Sequence, residues 1–252
     1  MFRSSLMLAA CLIAANAFAS ERIALPDHPS AEQRADLERL LNDWPGLQRY
    51  AAENAALPPA KPDEKRIVFM GDSITDFWGR SVGTFFPGRG YINRGISGQT
   101  TPQMLVRFRA DVVALKPAAV VILAGTNDIA GNTGPATLAT IEDNLASMAD
   151  LARAHGIRVV IASLLPVHDA VVKDQTVRRP PEQIRALNAW IKAYAAREHL
   201  VFVDYYAATV DTRGALRKEL SDDGLHPNAA GYQVMAPLAQ SAIEQALDGK
   251  VR

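Results

Sequence analysis

Cysteine is all but missing from this chain of 252 residues; its one copy is Cys11. That position falls within residues 1–19, which have the pattern of a secretory leader. Arg3 supplies a basic start, Leu6 to Ala15 an apolar stretch, and Ala17-Phe18-Ala19 an A-x-A cleavage site. The apolar stretch is too short to serve as a membrane anchor. Leu8-Ala9-Ala10-Cys11 has the form of a bacterial lipoprotein acylation box, but it comes early and apolar residues continue past it. Cleavage after Ala19 is therefore the expectation, with a periplasmic or secreted product. Such a product has no thiol, which excludes a disulfide, a cysteine nucleophile and a thiolate metal site even in an oxidising compartment.

Net charge is the second absence. Lys+Arg and Asp+Glu both number 27. The two signs are interleaved and no dense basic stripe exists, so a nucleic-acid partner is not expected. The histidines (28, 155, 168, 199 and 226) show no paired ligand spacing, so neither a metal nor another cofactor is expected. Gly88-Arg89-Gly90 lacks the lysine and the spacing of a phosphate loop. Internal repeats, low-complexity tracts and a long apolar lid segment are absent as well. What is present is apolar content of 48 %, enough for a sizeable buried core.

The pattern predicts three parts: the leader 1–19, an N-terminal helical arm with a Pro-rich linker over 20–64, and a main domain over 65–252. In the arm, Ser30 and Gln33 form a possible capping box. Leu37, Leu40, Leu41 and Trp44 then recur at helical spacing, which predicts an amphipathic helix docked on the main domain; a lid or partner-contact helix is the alternative. A second short helical piece runs from Leu47 to Ala56, and 57–62 reads as a stiff linker.

From Arg66 onward short apolar runs alternate with longer helical patterns. The strand candidates are Ile67–Met70, Tyr91–Asn93, Ala119–Leu123, Ile157–Ala162 and Leu200–Val203. The helical stretches are Thr101–Leu115, Pro135–His155, Pro181–His199 and Ala229–Leu247. Alternation of this kind predicts a five-stranded parallel sheet with helices on both faces, whose working residues gather in loops at the carboxyl ends of the strands.

Several of those loops carry reactive side chains. Gly71-Asp72-Ser73 follows the first strand and displays a hydroxyl at its exit; a helix-capping serine would look the same. Asp223-Gly224-Leu225-His226-Pro227-Asn228 lies near the C-terminus. A short turn there can bring the Asp223 carboxylate to one imidazole nitrogen of His226 and leave the other for Ser73, as nucleophilic serine chemistry requires. Asp222 competes for the carboxylate role but sits one residue further away. Gly98, in Gly95-Ile96-Ser97-Gly98-Gln99, offers close backbone approach. Asn127, in Gly125-Thr126-Asn127-Asp128, offers an amide donor suited to an oxyanion, although an Asx turn would also explain it.

These blocks together resemble the SGNH (GDSL-type) hydrolase family: Gly71-Asp72-Ser73, Gly98 in Ile-Ser-Gly, Asn127 in Gly-Thr-Asn-Asp, and Asp223-x-x-His226. Ile74 stands where the family name has leucine, a mild apolar exchange. The resemblance covers roughly Arg66 to Leu247. It implies a flavodoxin-like three-layer α/β/α sandwich and a serine esterase working through an acyl-enzyme, with no cofactor. By the same resemblance Ser73 is the nucleophile, His226 the base and Asp223 its orienting partner, and the oxyanion hole comprises the Ser73 and Gly98 N–H groups and the Asn127 side chain.

The substrate is less constrained. Residues 166–181, with His168, Asp169, Lys173, Asp174, Arg178 and Arg179, form a polar loop at the active edge that would either grip a polar or anionic leaving group or merely connect elements. His168-Asp169 is read as a solvated pair rather than a second dyad. Phe77, Trp78, Phe85 and Phe86 line a pocket or belong to the core. Export and a polar loop favour small acyl esters, acetylated carbohydrate first. A lysophospholipase or thioesterase is the alternative, and a non-catalytic glycan-binding module on the same scaffold is the reading from another class.

Overall fold

Apolar residues dominate four of the five strand sequences, and runs of this kind suit strands buried on both faces. In the computed structural model, which describes residues 27–61 and 64–249, they form an all-parallel sheet. The leader, including Cys11, lies outside the described residues. The strands are β1 (Ile67–Gly71), β2 (Ile92–Gly95), β3 (Ala119–Leu123), β4 (Arg158–Ala162) and β5 (Val201–Val203), in the order β2-β1-β3-β4-β5. This is the flavodoxin-like order. β1 is the switch point: its Gly71 pairs with Gly95 of β2 on one side and Leu123 of β3 on the other.

The helices are α1 (Ala31–Asp43), α2 (Ala51–Ala56), α3 (Ser73–Phe77), α4 (Thr101–Asp111), α5 (Thr126–Ile129), α6 (Leu138–Ala154), α7 (Gln175–Arg178), α8 (Pro181–Arg197), α9 (Tyr205–Thr209) and α10 (Ala229–Leu247). The crossovers β2→β3, β3→β4 and β4→β5 all advance in one direction, so right-handedness places α4, α6 and α8 in one layer, where they pack on one another. α10 and α9 pack together, and α10 lies against β3, β4 and β5. The core between these layers includes Phe69, Met104, Phe108, Ile122, Leu145, Ile161, Ile191 and Ile243.

Two elements depart from the sequence expectation for identifiable reasons. The helix expected over Thr101–Leu115 ends at Asp111 and tightens into a 3-10 turn at Val113–Leu115, with Lys116 left-handed at φ 50° ahead of Pro117. A proline cannot continue the hydrogen-bond ladder, so the chain turns before it. The second strand runs two residues beyond the expected Tyr91–Asn93. Its Asn93 and Arg94 are polar yet buried: the Asn93 amide donates to the Thr75 carbonyl at 2.6 Å, and Arg94 donates to Asn54 Oδ1 at 2.9 Å. Polar residues with tertiary partners conceal a strand from any apolar pattern.

The arm docks, but not through the expected leucine stripe. Ser30 and Gln33 close their capping box, yet Leu41 remains 86 % exposed and Leu40 36 %. The following segment makes the attachment instead. Gln103 and Gln99 donate at 2.7 Å to the carbonyls of Trp44 and Pro45, respectively. Tyr50 is fully buried and donates to the Gly95 carbonyl, and the guanidinium groups of Arg49 and Arg94 lie 4.7 and 4.5 Å from the centre of its ring. No helix among the described residues is long and apolar enough to cross a membrane.

Candidate active site

The switch-point topology puts the exits of β1, β2 and β3 side by side at the carboxyl edge of the sheet. Ser73 leaves β1 and opens α3, where Asp72 caps the helix by accepting the Ile74 N–H at 2.9 Å. Gly98 follows β2 with φ at +79°, and a Cβ there would meet only the Asn132 amide, at 4.0 Å. The left-handed backbone requires glycine, and the space above it is open. Asn127 lies in α5, after β3.

His226 arrives from 153 residues away. Its Nε2 stands 2.9 Å from Ser73 Oγ, and its Nδ1 stands 2.6 Å from Asp223 Oδ2. The turn that carries it is held by Asp223 Oδ1, which accepts the backbone N–H groups of Leu225 and His226, both at 2.8 Å. Gly224, at φ +87°, makes the turn possible: a Cβ would fall 2.1 Å from the His168 carbonyl oxygen. Asp222 points elsewhere and accepts from the Asn228 amide at 3.0 Å.

The ionisation states follow from these contacts. Burial would raise the Asp223 pKa, but hydrogen bonds from the His226 ring and the two backbone N–H groups outweigh it and hold the carboxyl at about 2. An ionised carboxylate only accepts, so Nδ1 carries the proton and Nε2 presents its lone pair to the Ser73 hydroxyl. The geometry is competent for proton removal from that hydroxyl.

Asp72 behaves in the opposite way. Burial pushes its carboxyl up to about 7, against the pull of the Ile74 N–H and of the Arg179 charge. A carboxyl whose folded pKa lies above its unfolded value of 3.8 costs stability as pH rises through that interval. Asp72→Asn is therefore expected to gain stability relative to the parent between pH 4 and pH 7 and to plateau above, as urea denaturation at pH 5 and pH 8 will show. A constant difference across that range would contradict the assignment.

Asn127 is held from both ends of its amide. Its Nδ2 donates to the Gln99 carbonyl at 3.1 Å and lies 3.5 Å from Asp72 Oδ2, and its Oδ1 accepts from Arg179 Nη2 at 3.3 Å. From sequence, Arg179 carries only a possible grip on the leaving group and Asp72 no role beyond the serine block; neither is expected beside Asn127. Arg179 sits in a polar loop with no diagnostic spacing, and a carboxylate beside a serine looks the same whether or not it is buried. The neighbouring Asp128 takes up the start of α4 by accepting the Thr101 N–H and hydroxyl.

The loop 166–181 is not the exposed connector that one sequence reading allows. His168, Gln175 and Arg179 are buried, whereas Val171, Val172 and Val177 are exposed. His168 is not solvated: it packs against Gly224, donates its backbone N–H to the Gly224 carbonyl at 2.9 Å, and accepts the Ala170 N–H on Nδ1. Asp169 instead binds Thr176 through both its backbone N–H and its hydroxyl. The aromatics also divide. Trp78, Phe85 and Phe86 cluster around Phe69, with Trp78 stacked on Tyr232, while Phe77 lies beside the His226 ring at 5.0 Å. A cleft of about 450 Å³ opens beside Gly98, bounded by Ser97, Asn132, Thr133 and Arg178 and, from α1, by Arg39 and Leu40.

Known proteins share this arrangement of elements. A solved GDSL-like lipase from Bacteroides thetaiotaomicron superposes with a TM-score of 0.76 at 46 % identity, covering 81 % of this chain and all of that one. Esterase TesA of Pseudomonas aeruginosa is 34 % identical over 140 residues, 55 % of this chain and 62 % of its own length, so the chain spans less than two thirds of that curated relative. An acetylxylan esterase of Geobacillus stearothermophilus is 26 % identical over 208 residues, 68 % of this chain and 90 % of its own length. The family model described as GDSL-like Lipase/Acylhydrolase matches residues 69–234, from within β1 into α10 and across Ser73, Gly98, Asn127, Asp223 and His226, and the chain belongs to that family.

Proposed function

We propose that this chain is a serine esterase that hydrolyses small acyl esters, with acetyl groups on carbohydrate or similar polar compounds as its substrate class. The observation that carries the reading is the continuous hydrogen-bonded line from Ser73 Oγ through His226 to Asp223. In this reading residues 65–252 form the hydrolase domain and 20–64 an arm attached to it, and the leader pattern of 1–19 directs export.

The reaction has two halves. Ser73 Oγ attacks the ester carbonyl carbon while His226 Nε2 takes the hydroxyl proton. Asp223 stabilises the imidazolium that results. The carbonyl oxygen becomes an oxyanion, held by the Ser73 and Gly98 N–H groups and the Asn127 amide. Collapse breaks the bond to the alcohol, which leaves with the proton returned by His226. A water molecule then gives a proton to His226 and attacks the acyl-enzyme, releasing the acid and restoring Ser73.

The lining of the neighbouring cleft supports a polar substrate: hydroxyls from Ser97 and Thr133, the Asn132 amide and two arginines, against Leu40 from the arm and Ala130. The acetylxylan esterase relative supports the same class. The test is a series of p-nitrophenyl esters from acetyl to palmitoyl, with acetate release measured from a panel of acetylated glycans. A steep fall in kcat/KM beyond the shortest acyl groups, with acetate released from at least one glycan, is expected. A flat or long-chain-biased profile would replace this substrate class with a lysophospholipase- or thioesterase-like one.

A further inference from the structure

Buried arginines in this fold are normally neutralised. Arg107, fully buried, pairs with Asp111 at 2.9 Å and also donates to Gln99 and to the Gly71 carbonyl. Arg66 pairs with Glu64 at the same distance. Arg179 is 4 % exposed, yet no carboxylate lies within ion-pair distance of it among the described residues. It donates to two neutral amides, Gln175 Oε1 at 2.8 Å and Asn127 Oδ1 at 3.3 Å, and its Nε has no partner. Burying a guanidinium without an adjacent carboxylate is expensive and adds little to stability. The long-range attraction of Asp72 and Asp223 is its main compensation, with Arg178 opposing it.

We infer that Arg179 is a positioning residue for the acyl-transfer step, acting through the Asn127 amide. A guanidinium can only donate. Its hydrogen bond to Oδ1 therefore forbids the flipped amide, which would turn an NH₂ group toward a cation. Nδ2 is thereby directed toward the Gln99 carbonyl and the Ser73 side of the site, where Asp72 lies. Drawing electron density to Oδ1 also makes the Nδ2 hydrogens better donors to a developing oxyanion, in a dry site where such polarisation is strongest. Gln175, one helical turn before Arg179, fixes the other arm of the guanidinium. Gln175 and Arg179 thus form an orienting strut, while Arg178 between them faces the cleft.

The inference rests on the esterase reading above, and a double-mutant cycle separates the two. Arg179→Met retains the apolar stem and removes every donor. Using p-nitrophenyl acetate, it is expected to lower kcat and kcat/KM together by about ten- to a hundredfold with little change in KM, the signature of an interaction made in the transition state. Asn127→Ala is expected to cost about 10²–10³. In that background, Arg179→Met should cost less than about threefold more, because its route to the substrate is gone. A merely structural arginine would not show this dependence. Full additivity of the two effects would overturn the inference, as would an unchanged kcat in Arg179→Met. An unimpaired Asn127→Ala would overturn it by removing the oxyanion role on which it rests. If Arg179→Met does not fold, Arg179→Lys carries the same cycle: a several-fold loss in kcat that vanishes beside Asn127→Ala is expected, and additivity again refutes it.

Discussion

Ser73→Ala is expected to lower kcat for p-nitrophenyl acetate by about four to six orders of magnitude, the range seen when the nucleophile of a serine triad is removed. The size of the effect follows from the division of labour. Without an Oγ, His226 has no proton to take and no acyl-enzyme forms, while the Gly98, Asn127 and backbone donors still polarise the carbonyl. What survives is the slower attack of water, assisted by those donors alone. The substitution should leave the fold intact. Ser73 does not cap α3, a role that belongs to Asp72, and the loss of one hydroxyl at the sheet edge removes no packing from the core. Mass spectrometry with a phosphonate ester probe should show label on the Ser73 peptide of the parent and none in the variant. Equal turnover by both proteins would end the esterase reading.

The second large effect is expected at Asp223. Asp223→Asn should lower kcat by about 10⁴, because an amide in place of the carboxylate no longer dictates the tautomer. Asn can offer an N–H to Nδ1, which would put the imidazole proton on Nε2, facing Ser73, and leave the serine without a base. Asp222→Asn provides the comparison. Asp222 is exposed and turned toward Asn228, and its variant should stay within about threefold of the parent, as surface substitutions without buried partners usually do. A reversal of these two outcomes would reassign the carboxylate. Because Asp223 is held at about pH 2, it remains ionised throughout the range in which an esterase is assayed. Its stabilising contribution is present above the unfolded value of 3.8 and is lost only as pH falls toward 2. Any fall in activity between pH 8 and pH 4 thus arises from other groups.

The residues that could be named from the linear chain share a property: each lies in a short block whose local geometry already suggests its use. Gly71-Asp72-Ser73 ends an apolar run, and Asp223 is close enough to His226 that one turn joins them. α10 begins at Ala229 and ends at Leu247, as its periodicity predicts, because Asn228 caps it locally. β3 matches its expected bounds because an uninterrupted Ala-Val-Val-Ile-Leu run has no competing reading. β2 is less legible because its polar residues are satisfied by Thr75 and Asn54, neither of which is adjacent in the chain.

Arg179 is the plainest case of what the linear chain conceals. Among the charged residues of 166–181 nothing distinguishes it from Arg178, yet one is buried against Asn127 and the other borders the open cleft. The arm shows the same limit: helical spacing marks α1, but the contacts that attach the arm come from Trp44, Pro45, Tyr50 and Asn54.

By itself, the order of residues determined the alternation of strand and helix, and with it the parallel sheet, because apolar runs and capping residues act over a few positions. It also determined which side chains were chemically able to react. Only the tertiary structure decided that a histidine 153 residues from the serine stands 2.9 Å from it, and which buried cation meets the asparagine. Those distances are set by the crossing of β1 between β2 and β3 and by the return of the C-terminal segment to the same sheet edge. Long-range packing of this kind has no counterpart in local spacing.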